Sequence, residues 1–524
     1  MNGFLLRGAR LVDASTGRSG EPVDVRVRDG RVTAVGQDIG QDLGTSVGFD
    51  EEVIDVEGRW VVPGLWDAHT HMTQWALARQ RLDVSAATSA AHAAALVAER
   101  LRDAPPAAGA PLVGFGFRDA LWPDTPTAEL LDAAAGHAGH AGDVHAGHAG
   151  DVHVVLVSGD LHCGWLSTGA AHRFGVPEAG LLREHAWFEV LDRLGEAPAA
   201  LTDAWVADAA AAAATRGVVG VVDFERADSW DAWPRRVAAG QHGLRVVCSV
   251  WPESLDLVVA RGLRSGDALP APGVARAADD GAVDGLLTMG PLKVISDGSL
   301  NTRTAYCHDP YPGMAGPGAH GELSVPPSEL VRLLARAAAA GLQCAVHAIG
   351  DRAGSLALDA FEVTGARGSI EHAQMLTGDD VTRLASMGLT ASVQPEHAMD
   401  DRDVADQLWA GRTDRAFPFA ALHRSGARLA LGSDAPVAPL DPWLAIGAAV
   451  DRTRDGRPAW HPEQRLTAAV ALAASTRGRM VVQPGDVADL AVLDVDPMSA
   501  HGDRLREMPV AATTVAGRWT HRTI

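Results

Sequence analysis

The chain has 524 residues, 47% of them hydrophobic, and a net charge of −21. That is enough apolar sequence for a large core with one or two smaller units, which argues against global disorder. The negative balance argues against nucleic acid or an anionic membrane surface as the main partner. Four cysteines, Cys163, Cys248, Cys307 and Cys344, lie far apart with no C-x-x-C pair, so neither a disulfide frame nor a Cys-based zinc site is expected. The opening MNGFLLRGARLVDASTG turns polar too early for a signal peptide, and the Ala-rich stretch Ala204–Val222 carries Asp208 and Arg216. A cytoplasmic, reducing setting without a membrane span is the expectation.

The first sixty residues read as short strands. Val23, Val25 and Val27 alternate with polar residues, Asp29-Gly30 supplies a two-residue turn, and Arg31–Val35 returns. The C-terminal end reads alike, with strands at Asp489–Asp494 and at Thr513–Thr520, the latter broken at Gly517. A composite β-sandwich domain built from residues 1–58 and 480–524 is therefore expected. Next comes an apolar run, Trp60–Leu65, read as the first strand of a different unit, leading into Asp67-Ala68-His69-Thr70-His71. Side chains at i and i+2 of a strand share a face, so His69 and His71 can grip one metal ion. His-x-His alone is a weak signal; its place after an apolar strand strengthens it.

Residues 75–216 separate that strand from the next apolar one, about 140 residues and too many for a loop. With strand signals at Leu112–Phe117 and Val154–Ser158, the insertion is expected to form a cap subdomain. Within it, HAGHAGDV is repeated directly over residues 137–153, a segment holding five histidines. Duplication in an exposed loop explains the repeat more simply than a metal tract, although incidental nickel or zinc affinity is expected.

From residue 217 strands and helices alternate. Strands are read at Val218–Phe224, Arg245–Trp251, Leu292–Ser296, Cys344–Ala348, Ser369–His372, Thr390–Gln394 and Arg428–Gly432, with helices such as Ser328–Ala340, Asp379–Met387 and Arg415–Ser425 between them. Together with Trp60–Leu65 these make eight strands, the pattern of an α/β protein built on a (β/α)8 TIM barrel spanning residues 59–74 and 217–479. An open doubly wound sheet is the runner-up, but no G-x-G-x-x-G follows an early strand. Lys293, His347, His372 and Asp434 fall where barrel strands end, the rim at which barrel enzymes place their chemistry. Each has an ordinary reading of its own: a satisfied histidine, a surface lysine, an Asp that caps the next helix. Their joint placement with His69 and His71 at one rim does not, and imidazole with carboxylate suits zinc, manganese or iron. Glu371 precedes His372 and is expected to point the other way.

PGLWDAHTHM, GFGFRDALWP, GPLKVISDGSLNTRTA, VHAIGDRA, SIEHAQ, GSDAPV and GDVADLAVLDVDP together make the chain resemble the amidohydrolase superfamily, specifically amidohydrolase family 3, the YtcJ-like metal-dependent hydrolases. The histidine-rich repeat and Cys163 in DLHCGW depart from that pattern. The resemblance implies one or two divalent ions, zinc first, with His69, His71 and Asp434 on one ion, His347 and His372 on a second, and Lys293 bridging them as a carbamate. A mononuclear site with unmodified Lys293 is the alternative. It further implies hydrolysis of a C–N bond in an amide or an N-substituted formamide by metal-activated hydroxide, with Asp434 as general base and then acid. Trp122, His162, Trp165, Arg303 and His397 are expected near the mouth as substrate contacts, the tryptophans by stacking and Arg303 by meeting a carboxylate; packing of the cap is the competing reading for the tryptophans. A deaminase on the same frame is disfavoured by Lys293, and a non-catalytic relative by the filled ligand positions; an isomerase or lyase remains open. The expected partner is a small amide-type molecule, and a homodimer is the default assembly.

Overall fold

The apolar run before the histidines is two strands, not one. In the computed structural model, which describes residues 3–39, 51–107, 109–137, 152–194, 197–226, 228–270 and 285–524, Trp60–Pro63 and Leu65–Thr70 belong to different sheets. Trp60–Pro63 pairs antiparallel with Leu490–Leu493 and parallel with the strand Gly3–Asp13. The chain crosses at Gly64, where an added Cβ would lie 2.3 Å from Val219 Cγ1, so only glycine can pass. The expected first barrel strand, Trp60–Leu65, is corrected accordingly: the barrel begins with Leu65–Thr70.

The terminal segments form one eight-stranded sheet in which Gly3–Asp13, Arg18–Arg28 and Arg31–Gly36 continue across Trp60–Pro63 to Leu490–Leu493, Val510–Val515 and Arg518–Arg522, with Glu52–Asp55 added beside Gly3–Asp13. The turn at Asp29-Gly30 has φ of 48° and 73°, the left-handed pair that a two-residue hairpin needs. The break at Gly517 is a second hairpin of the same kind, through Ala516 (φ 48°) and Gly517 (φ 71°).

The barrel strands are β1 Leu65–Thr70, β2 Val218–Asp223, β3 Arg245–Val250, β4 Leu287–Ile295, β5 Cys344–Ala348, β6 Gly368–His372, β7 Thr390–Val393 and β8 Arg428–Leu431. They pair in parallel, each with the next. β2, β3 and β5, rich in Val and Ala, are buried nearly throughout, as a helix-covered parallel sheet requires, whereas β8 is mostly half-buried with Arg428 exposed. Beyond β8 the circle is drawn together by Asp434 N–H donating to His69 O (2.7 Å) and His71 N–H to Ala435 O (2.8 Å). Gly432 permits the approach, since a Cβ there would stand 2.7 Å from His69 N. The helix expected at Arg415–Ser425 is shorter, Phe419–Arg424, because Pro418 stands at its start.

The insertion carries a five-stranded sheet ordered Gly180–Arg183, Cys163–Leu166, Val154–Ser158, Leu112–Phe117 and Leu82–Asp83. Its own apolar clusters centre on Trp165 and Trp187, both fully buried. Most of the histidine repeat expected at 137–153 lies outside the described residues. All four cysteines are free and buried, and among the described residues no helix is long and apolar enough to cross a membrane.

Candidate metal centre

His69 is the fifth residue of β1 and His71 follows the strand, so their side chains leave on one side, ring centroids 5.6 Å apart. Lys293 comes from β4, His347 from β5, His372 from the last position of β6, and Asp434 from the turn after β8. His372 (φ 70°) and Asp434 (φ 58°) are both left-handed, a backbone conformation that side chains other than glycine seldom adopt and that concentrates at functional sites. All six side chains line one cavity of about 90 Å3 at the strand ends.

The tightest convergence is His69, His372 and Asp434, whose ligand atoms lie within 4.8 Å of one another. Asp434 Oδ1 stands 3.3 Å from His71 Nε2 and 3.6 Å from His69 Nε2, and Oδ2 stands 3.9 Å from His372 Nδ1. Ligands bound about 2.1 Å from a tetrahedral ion are about 3.4 Å from each other, so this spacing suits a shared cation. His372 Nδ1 is buried and has no hydrogen-bond partner among the described residues. A buried lone pair without a donor is costly unless something electrophilic meets it, so the residues present fit a metal ion.

Burial shifts the titration of three of the histidines and the lysine. It pushes His69, His347 and His372 well below the ordinary histidine range, with Lys293 and neighbouring histidines adding to the effect, which favours the neutral rings. It lowers Lys293 to about 8; the ammonium has no carboxylate within ion-pair distance among the described residues and lies 3.2 Å from His69 Nε2 and 4.6 Å above the Phe224 ring. Asp67, raised to about 7 by burial, accepts the backbone N–H of His69 and of Ser433 and ties the ends of β1 and β8 together.

The expectation for Glu371 needs correction. His372 has a left-handed backbone at its strand end, which breaks the alternation of β6, and residues 371 and 372 both turn towards His69. Glu371 Oε2 lies 2.6 Å from His69 Nδ1, with both groups buried. A ring whose Nδ1–H is donated to a carboxylate presents the Nε2 lone pair to a metal.

Of the five expected substrate contacts, His162 and His397 line the cavity and three do not. Trp122 donates to Ala87 O and packs with Phe117 and Trp165, and Trp165 is buried with its indole N–H on Thr127 O. Both belong to the core of the cap, the competing reading. Arg303 is exposed and outside the cavity wall. His397 stacks on His372 with centroids 6.2 Å apart, and burial lowers its pKa. His162 reaches in from the cap, its Nδ1 2.9 Å from Glu184 Oε2; burial opposes its charge, but Glu184 outweighs that and lifts it to about 9. The rest of the cap's contribution is apolar, with Leu161, Phe188 and Leu191, apart from Asp160 and Arg118. Arg118 joins the cap to the barrel side through Asp400 at 3.0 Å and, more loosely, Asp401 at 3.6 Å. Glu184, Arg118 and Asp401 went unnoticed in the sequence because each is brought in by pairing distant in the chain.

Known proteins match this frame. The model of the amidohydrolase family matches residues 52–521. An N-substituted formamide deformylase of Arthrobacter pascens is 27% identical over 97% of this chain and 96% of its own. YtcJ of Bacillus subtilis (strain 168) is 31% identical over 44% of this chain and 46% of its own. Among solved structures, an uncharacterized metal-dependent hydrolase from Pyrococcus horikoshii OT3 superposes with a TM-score of 0.74 at 23% identity, covering 95% of this chain and 98% of that one.

Proposed function

The chain belongs to the amidohydrolase family, and from that premise we propose that it is a metal-dependent hydrolase that cleaves the C–N bond of an amide or an N-substituted formamide. The observation that carries the reading is the convergence of His69, His372 and Asp434, with the His372 Nδ1 lone pair unmet. The full-length likeness to a formamide deformylase supports the choice of bond. His69, His71, Lys293, His347, His372 and Asp434 would hold one or two divalent ions, zinc first, and a carbamate on Lys293 would turn a donor-only ammonium into an anionic ligand. When bound, such an ion supplies Lewis acidity, lowering the pKa of water and polarising a carbonyl.

The chain's own residues do the rest. Glu371 fixes the His69 ring so that Nε2 faces the cavity. Asp434 faces both His69 and His71, with 11% of its side chain exposed, and so meets the cavity; it takes the proton of the attacking water and returns it to the departing amine nitrogen. The apolar wall of Leu161, Phe188, Leu191 and Trp251 keeps bulk water out, which strengthens each polar contact inside. Asp434→Asn keeps the shape but cannot carry the proton. The expected result is a loss of turnover by at least about a thousandfold with an unchanged circular dichroism spectrum; near-normal turnover on a panel of formamides and amides would remove Asp434 from this role.

A further inference from the structure

The barrel is hollow below the strand-end histidines. A cavity of about 560 Å3, against about 90 Å3 for the catalytic one, opens among the N-terminal ends of the strands. Its wall takes alternate residues of successive strands, Ser369 and Glu371 of β6, Thr390 and Ser392 of β7, Arg428 and Ala430 of β8. Alternate residues share a face, so this is the face turned into the barrel. A packed barrel fills such layers with Val, Ile and Leu. Here the side chains are short, and Ala68, Ser369, Thr390 and Ala430 are only half-buried although each of their strands has a neighbour on either side.

This cavity shares no lining residue with the catalytic one; the two are divided at the His69–Glu371 contact, His69 facing one and Glu371 the other. Glu371 lies three residues on from Gly368 in the same wall, which makes the space about 10 Å deep. Among the described residues Glu371 is the only carboxylate in the wall, and both its oxygens are taken, Oε2 by His69 Nδ1 and Oε1 by the Ser369 hydroxyl. The outer end is basic. Arg428 opens β8 and is exposed, with Nη2 on Gly388 O. Arg477 follows the helix Ala468–Ala474, also exposed, with its guanidinium 4.5 Å above the Trp66 ring. Neither arginine has a carboxylate within ion-pair distance among the described residues, although the chain carries 66 Asp and Glu against 45 Lys and Arg. Between the two ends the wall is largely apolar, with Val222, Phe224, Val247, Leu429 and Val470.

We propose that the lower half of the barrel binds a small amphiphilic carboxylate, its apolar end against Ala68, Phe224 and Ala430 and its carboxylate on Arg428 and Arg477. The space has a direction: an anion is repelled at the inner end by Glu371 and met at the mouth by two guanidinium groups, whose paired N–H donors match a carboxylate. The apolar body takes the wall of the cavity out of water. Contact with the Trp66 ring steadies Arg477 without using up its N–H donors. The site is independent of the hydrolase reading, since it draws on neither a metal ion nor the cap.

The test is calorimetric titration of the whole chain with sodium octanoate, beside octanol and octylammonium chloride. The expected outcome is about one octanoate bound per chain, with octylammonium at least about tenfold weaker because it brings a cation to two arginines. Arg428→Gln/Arg477→Gln should weaken octanoate at least about tenfold and leave octanol within about threefold of wild type. Ala430→Phe, which puts a ring into the cavity, should weaken octanoate and octanol alike by at least about tenfold. Both arginines are exposed, so their double variant carries the test alone if Ala430→Phe does not fold. No octanoate binding by the wild type, octylammonium bound as tightly as octanoate, or octanoate binding that survives the arginine substitutions would each overturn the proposal. So would octanoate binding lost in His69→Ala/His71→Ala and kept in Ala430→Phe, which would place the carboxylate in the catalytic cavity instead.

Discussion

At single residues, what matters is which side chains orient the histidines at the strand ends. The 2.6 Å contact between Glu371 and His69 Nδ1 sets both tautomer and ring angle. Glu371→Ala is therefore expected to weaken divalent-metal affinity about 10- to 100-fold, read by competition with a coloured chelator; wild-type affinity would contradict the assignment. The His162–Glu184 pair makes a prediction in pH. The folded-state pKa of His162 is raised from 6.5 to about 9, so its contribution to stability is complete below pH 6.5 and is lost as pH rises towards 9. Glu184 is lowered from 4.5, so its share is lost as pH falls below 4.5. In chelator-treated protein, the difference in melting temperature between wild type and His162→Gln should be largest between about pH 5 and 6.5 and should shrink by about pH 9; a difference flat across that range would contradict it. That His69, His71, Lys293, His347, His372 and Asp434 gather around one cavity was legible because a strand end in a parallel barrel has one known direction. Glu371 was misread because strand alternation fails once His372 takes a left-handed backbone, which sequence does not display. Glu184 had no local signal at all, since a strand pairing across the cap brings it to His162.

At the scale of elements, two glycines govern how the barrel meets its neighbours. Gly432 lets β8 close on β1, and Gly64 lets the chain pass from the terminal sheet into the barrel. Gly432→Ala would place a methyl 2.7 Å from His69 N and 2.9 Å from Asp67 Oδ1, in backbone that cannot retreat without shifting the ligand strand. The expected cost is about 1–3 kcal/mol, measured as a lowered urea midpoint at unchanged slope. Gly378→Ala, at the start of a helix with nothing within 4 Å of the new methyl, is the control expected to be neutral or slightly stabilising. Equal effects of the two substitutions would mean that closure is looser than described. The Trp60–Leu65 reading failed at this scale for the same reason: an unbroken apolar run does not reveal that its halves bury against different sheets. Seven of the eight strand positions were legible from apolar runs between turn signals, and the helix expected at Arg415–Ser425 was overextended across Pro418, whose ring it ignored.

At the scale of the molecule, terminal sheet, barrel and cap are joined by buried polar contacts as well as by apolar packing. Arg245 at the start of β3 grips Asp489 through Nε at 2.6 Å and Nη2 at 3.2 Å, and Asp489 also accepts the N–H of Ala516 in the terminal sheet. Removing one partner leaves the other charge buried, so Asp489→Ala should destabilise by about 3–5 kcal/mol, a loss visible in chemical denaturation; a cost under about 0.5 kcal/mol, typical of surface substitutions, would mean the two units are joined by apolar packing alone.

Whether the strand-end cluster holds a divalent metal is decided by the metal content per chain, read by plasma mass spectrometry. The sample should lack residues 138–152, so that the histidine repeat binds no stray ions, and should be dialysed against a weak chelator beside His69→Ala/His71→Ala. About two equivalents are expected in the parent protein, lost in the double variant. About one equivalent would remove the bridging carbamate while keeping the centre. No retained metal, or metal that survives both substitutions, would rule out a metal centre at the strand ends.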